Sequence, residues 1–220
     1  MEIVIARRFR GPAGSANGGY ACGRLAAFVD GPAEVTLRLP PPLERPLRVE
    51  REGERLLLLD GDALVAEARP FEVEVEPPEP PPFDEARAAE LPSGDLESPF
   101  PECFVCGHER EDGLRIFPGA WNDGVAATWT PSAELCAPEL VWSALDCPGA
   151  YAAGAVGRGE PVLGRLAARV ESLPRPGERC VVIGWPLGED GRKLFPGTAL
   201  FGEDRRLLGV ARATWILPRT

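Results

Sequence analysis

Asn17-Gly18-Gly19, Asp146 and the pair Cys103-x-x-Cys106 are the groups whose types and spacing could do chemistry in this sequence. Asn17 is a helix-capping residue type, and the two glycines behind it open the apolar run Tyr20 to Val29. Glycine is unfavourable inside a helix, so two in succession need a reason. One reason is a tight turn under an N-cap. The other is close approach of a reacting group to a helix N-terminus, where N–H groups without intrahelical partners and the positive dipole end can stabilise an oxyanion. Asp146 closes the apolar stretch Leu140 to Leu145. An acid among apolar helix residues is expensive unless paired, which suits a general base or nucleophile, or a helix-terminal residue held by a hydrogen bond ahead of Pro148-Gly149.

Cys103, Cys106 and His108 have the spacing of a zinc knuckle, which Cys136 or Cys147 could complete. A structural zinc site usually carries two such pairs, and Cys136, Cys147 and Cys180 stand alone in the sequence. The expectation is therefore a tight turn with small buried thiols and no metal. His108, the one histidine, lies in the charged stretch His108-Glu109-Arg110-Glu111-Asp112 and reads as a solvated residue. Arg24 sits two helical turns beyond Asn17, placed to meet a phosphate or carboxylate of a ligand or to pair with an acid. Trp142, one turn before Asp146, and Tyr20, beside the glycines, are candidate walls of a binding pocket.

These residues need elements to position them. Stretches Glu2 to Arg8, Ala33 to Leu39, Arg48 to Glu52, Arg55 to Leu59 and Ala63 to Arg69 read as strands, broken by Glu52-Gly53 and Asp60-Gly61. Leu114 to Phe117, Val125 to Trp129, Leu163 to Glu171, Arg179 to Pro186, Leu194 to Phe201 and Leu207 to Ile216 read the same way. Helical spacing of Ala21, Leu25, Phe28 and Val29, and of Val141, Ala144, Leu145 and Ala152, predicts one helix per half over 20–29 and 140–153. Between the halves, Pro77-Pro78-Glu79-Pro80-Pro81-Pro82 and a short Ala-rich helix capped by Asp84 predict a linker over 77–102. The order of elements repeats, helix then strands, as a faint internal echo. Two copies are too few for a solenoid and suggest a pseudo-dimer within one chain.

Composition limits the function classes. The 220 residues are 44% hydrophobic and 26% charged, with net charge -10, and that balance argues against a nucleic-acid surface, which needs clustered Lys and Arg. No run approaches the roughly 18 apolar residues of a membrane span, and the first residues lack the order of a secretion signal. A cytoplasmic protein with reduced cysteines is expected.

The segment Cys103-Phe104-Val105-Cys106-Gly107 with Gly113-Leu114 resembles a motif of thioesterase-superfamily hot-dog proteins related to phenylacetyl-CoA thioesterases. In that family a His-Gly-Gly turn leads into a central helix with an acid seven residues after the second glycine. Here Ala137-Pro138-Glu139 occupies the turn and Asp146 the acid position, whereas the first half keeps Asn17-Gly18-Gly19 and carries Ala26 where the acid would be. The resemblance implies an α+β tandem hot-dog fold, two curved antiparallel sheets each wrapped around one central helix, over 1–76 and 103–220. It implies hydrolysis of acyl-CoA or acyl-carrier thioesters without a cofactor. Asn17, Gly18 and Gly19 would hold the thioester carbonyl, Asp146 would act on it, and Arg24, Trp142 and Tyr20 would contact the substrate. With half the motif lost from each copy, a non-catalytic acyl-binding module is the alternative. A fused pair would supply its own interface, with a homodimer possible through an edge strand.

Overall fold

In Pro46–Glu52 (β3), Leu47 and Val49 are buried while Arg48 and Glu50 stay outside, the period of two that sends alternate side chains to opposite faces of a sheet. The computed structural model, which describes residues 1–92 and 99–219, arranges ten further strands with it. They are β1 (Glu2–Val4), β2 (Ala33–Leu37), β4 (Arg55–Asp60), β5 (Ala63–Pro70), β6 (Gly119–Trp121), β7 (Gly124–Trp129), β8 (Val162–Val170), β9 (Cys180–Asp190), β10 (Lys193–Phe201) and β11 (Leu207–Ile216). All belong to one sheet in the order β1-β3-β4-β5-β2-β8-β11-β10-β9-β7-β6, and every neighbouring pair is antiparallel. Gly53, Gly61 and Gly191 close three of the hairpins with φ of 62°, 59° and 57°, the left-handed region glycine enters without strain.

The seam between the early and late strands is β2 against β8, with Ala33 opposite Ala168 and Thr36 opposite Arg165. Arg165 crosses it: its Nε donates to Thr36 Oγ1 at 3.0 Å, and its Nη1 lies 3.7 Å from Glu34, which Arg69 also holds at 2.9 Å. One apolar cluster runs under the seam, from Leu25, Val35 and Leu58 to Leu145, Leu166 and Leu208.

The helices are α1 (Gly18–Ala26), α2 (Phe83–Ala89), α3 (Pro138–Ala144) and α4 (Cys147–Ala152). Helix α1 packs on β2, β5 and β8 and against α3, while α4 packs on β7, β9 and β10. The single helix expected over 140–153 is broken, because Pro148 has no N–H to give the Ala144 carbonyl and its ring opposes a continuing helix. Leu114 to Phe117 is not a strand; Leu114 and Ile116 instead donate their amides to the Phe104 and Val105 carbonyls at 2.7 and 3.0 Å. The first strand stops at Val4 and gives way to a turn of 3-10 helix at Arg7–Phe9. In the proline-rich stretch Pro82, not Asp84, holds the N-cap position of α2. This helix is no free spacer: Ala86 is fully buried, Glu90 accepts from the Thr128 amide at 2.7 Å, and Arg179 stacks on Phe83 at 4.1 Å. Residues 93–98 of the expected linker lie outside the described residues.

Candidate functional site

Asp146 stands at the break between α3 and α4, where Pro148 leaves local hydrogen bonds to be remade. The Gly149 amide turns to the Asp146 carbonyl at 3.0 Å, and the displaced Leu145 carbonyl accepts the Thr198 hydroxyl at 2.7 Å. The Asp146 side chain is thereby aimed away from the sheet strand β10 toward α1, where its Oδ2 accepts the Asn17 Nδ2 and the Gly19 amide, each at 2.9 Å. Only 1% of Asp146 is exposed, and Oδ1 is buried with no hydrogen-bond partner. Burial pushes the carboxyl up to about 7, against the opposing pull of the Gly19 and Asn17 hydrogen bonds, with the nearby Cys103 adding to the rise.

Asn17 has two jobs. Its Oδ1 caps α1 by accepting the Tyr20 amide at 2.9 Å, which fixes the side chain so that Nδ2 points at Asp146. The glycines of α1 have a packing reason. Gly19 and Gly23 lie one turn apart on the face turned to α3. A Cβ on Gly19 would fall 2.6 Å from both Asp146 Cβ and the Trp142 carbonyl, and one on Gly23 would fall 2.7 Å from Glu139 Cα. Gly18 faces Leu163, 2.8 Å from where its Cβ would stand. Among the described residues the Gly18 N–H is the one at this helix terminus that neither the cap nor the carboxylate takes up.

Sequence spacing alone leaves Cys147 isolated; the fold does not. As the first residue of α4 it brings its sulfur to 3.7 Å from Cys103 Sγ, and the sulfurs of Cys103, Cys106 and Cys147 all lie within 4.8 Å of one another. Asn17 Nδ2 reaches this cluster too, 3.8 Å from Cys103 Sγ and 4.0 Å from Cys147 Sγ. Hydrogen bonds with Cys106 and Cys147 hold the Cys103 thiol well below its ordinary range despite burial. The same contacts, with Cys103 first, push Cys147 up.

The other sequence candidates scatter. Tyr20 is buried in an aromatic cluster, stacked on Phe9 with centroids 3.9 Å apart and edge-on to Phe104 at 6.3 Å. Arg24 donates to the Tyr20 hydroxyl at 3.3 Å rather than to an acid. Trp142 lines a groove of about 540 Å³ with Gly23, Ala26, Val29, Val170 and Leu173, at the far end of α1 from Asp146. His108 is half-buried, its Nδ1 shielded from solvent, and is outside the sulfur cluster. The sequence gives no signal for Thr198, since a threonine in a strand carries no sign of a distant partner.

No protein-family model matches the chain, and no curated protein matches it. Solved structures do. A conserved protein of unknown function with a hot dog fold from Alicyclobacillus acidocaldarius superimposes with TM-score 0.67 at 9% identity, over 100% of this chain and 93% of that one. This chain has the hot-dog fold. Two further neighbours are the tesB protein of Mycobacterium avium subspecies paratuberculosis, with TM-score 0.60 at 14% identity over 99% of this chain and 92% of that one, and acyl-CoA thioesterase II TesB2 of Mycobacterium marinum, with TM-score 0.57 at 11% identity over 100% and 93%. Gly19 of α1 and Asp146 of the α3–α4 break, 127 residues apart in sequence, meet on the helical side of this sheet. No helix of the described residues is long and apolar enough to cross a membrane.

Proposed function

We propose that the chain is an acyl-thioester hydrolase built from two hot-dog units, residues 1–76 and 103–220, joined through β2 and β8 with 77–102 between them. The observation that carries this reading is the buried Asp146 carboxylate, delivered by the second unit to the N-terminus of α1 from the first, with Oδ1 unpartnered. In the reaction Asp146 takes a proton from water as the water oxygen attacks the thioester carbonyl, and the C–S bond then breaks as the protonated Asp146 returns that proton to the departing sulfur, releasing a carboxylic acid and a thiol. The Gly18 amide stabilises the oxyanion, since the Gly19 amide is already engaged by Asp146. The groove beside Trp142 takes the acyl chain, and the hot-dog fold shared with an acyl-CoA thioesterase makes acyl-CoA the first substrate to try. Helices α1 and α3 must part to admit the carbonyl, because Gly19 and Asp146 are in direct contact.

That same contact favours a second reading. A carboxylate enclosed at 1% exposure and tied to a helix terminus also serves as a cap, which suits a module that binds acyl thioesters in the groove without cleaving them. Thiol release from a panel of short, long and aromatic acyl-CoAs, run beside equilibrium binding, separates the two. Turnover supports the hydrolase, and binding without turnover supports the module.

A further inference from the structure

The thiol cluster beside Asn17 has the makings of a built site. Its first two members sit on a preformed knuckle: Gly107 donates to the Cys103 carbonyl at 2.8 Å, and the amides of Val105 and Cys106 turn toward the Cys103 sulfur. The wrap is too close for any side chain at Gly107, whose Cβ would fall 2.4 Å from the Cys103 carbonyl oxygen. The knuckle is pinned on both sides, by the Phe104 amide to the Arg10 carbonyl at 2.8 Å and by the Leu114 and Ile116 amides to Phe104 and Val105. The third thiol comes on the first residue of α4.

Spacing and chemistry then converge. Tetrahedral thiolates about 2.3 Å from a zinc ion stand roughly 3.8 Å apart. Cys103 and Cys147 are at 3.7 Å, and no pair of the three sulfurs exceeds 4.8 Å. A set of soft sulfur donors selects zinc over magnesium or calcium. Asn17 Nδ2 approaches two of the sulfurs, the N–H contact that supports metal-bound thiolates from outside the ligand shell. The neighbouring Asp146 Oδ1 is a buried, unpartnered acceptor, and a cation close by offsets such a group.

We propose that Cys103, Cys106 and Cys147 bind one zinc ion, the fourth position being left to water or another small ligand. The ion ties the 103–106 knuckle to the α3–α4 break and so fixes the framework around Asn17 and Asp146. The proposal is independent of thioester hydrolysis, since an acyl-binding module with the same cluster would hold the same ion.

The test uses the full chain, purified under reductant so that a Cys103–Cys147 disulfide cannot form. Elemental analysis should find about one equivalent of zinc, and removal by a chelator should lower Tm by about 5 °C or more, restored by zinc but not by magnesium. Chelated protein titrated with cobalt should develop the intense visible and near-ultraviolet bands of tetrahedral thiolate coordination at one equivalent. Cys106→Ser and Cys147→Ser should each reduce zinc binding at least about tenfold, with Cys180→Ser, outside the cluster, as the unchanged control. Should a serine variant fail to fold, the cobalt spectrum of the unaltered chain still decides. Reduced, folded protein that takes up no stoichiometric zinc and shows no thiolate–cobalt bands overturns the proposal.

Discussion

The Gly19 amide donates to Asp146 Oδ2 at 2.9 Å across 127 residues of sequence. The bond joins an acid at a helix break to the positive end of another helix, an arrangement that favours the carboxylate while burial opposes it. Replacing Asp146 by Asn keeps the acceptor oxygen and nearly the shape while removing the base. Turnover of the best acyl-CoA should fall by about 100-fold or more with binding changed less than about threefold. Unchanged turnover in Asp146→Asn would restrict this residue to capping.

Close approach of α1 to α3 gives a second prediction. Gly23→Leu places its Cβ 2.7 Å from the Glu139 backbone, which cannot swing aside as a side chain would. Stability measured by urea unfolding should drop by about 1–3 kcal/mol, the usual penalty of overpacking. Gly14→Ala is the control, since nothing lies within 4 Å of a Cβ there.

Thr198 holds the helix break from below. Thr198→Val removes the hydroxyl that the buried Leu145 carbonyl accepts at 2.7 Å and supplies no substitute. The loss should be about 1–3 kcal/mol, the penalty for a buried acceptor left alone. An unaltered urea midpoint would show that another donor reaches Leu145.

A fourth prediction concerns pH. Glu178 accepts from Arg206 Nη1 at 2.6 Å and Nη2 at 2.8 Å and from the Arg175 amide at 2.7 Å, and the Arg206 guanidinium before all holds its carboxyl below the usual range. The unfolded chain, with an ordinary glutamate near 4.3, takes up the proton first as pH falls. The contribution is therefore full above about pH 5 and is lost as pH drops through the folded value. Glu178→Gln should lower the denaturant midpoint at pH 7 and differ less from the unaltered chain at pH 3. An equal difference at both values would rule the ion pair out as the cause.

Much of the sheet was legible because its causes are local. Alternation in β3 and the Glu52-Gly53 and Asp60-Gly61 turns specify a hairpin without help from elsewhere. Pro148 announces the break in 140–153, yet helical spacing on both sides concealed it. The site groups were visible one at a time: Asn17 as a cap, Gly18 and Gly19 as a pair needing a reason, Asp146 as an acid in apolar company. That Gly19 is small to admit α3, that Tyr20 belongs to an aromatic stack, and that Cys147 joins the knuckle are facts of tertiary packing. Nothing in the spacing of residues 103 and 147 encodes a separation of 3.7 Å.

The pairing of β2 with β8 has a thermodynamic corollary. Both strands belong to one chain, so dilution cannot pull them apart, and the free energy of this junction carries no protein-concentration term. Each side of it is also encoded once. A substitution at Asn17 has no duplicate elsewhere in the molecule, and one at Asp146 leaves the sequence around Asn17 untouched, so the two faces can drift independently where two identical chains would have to change together.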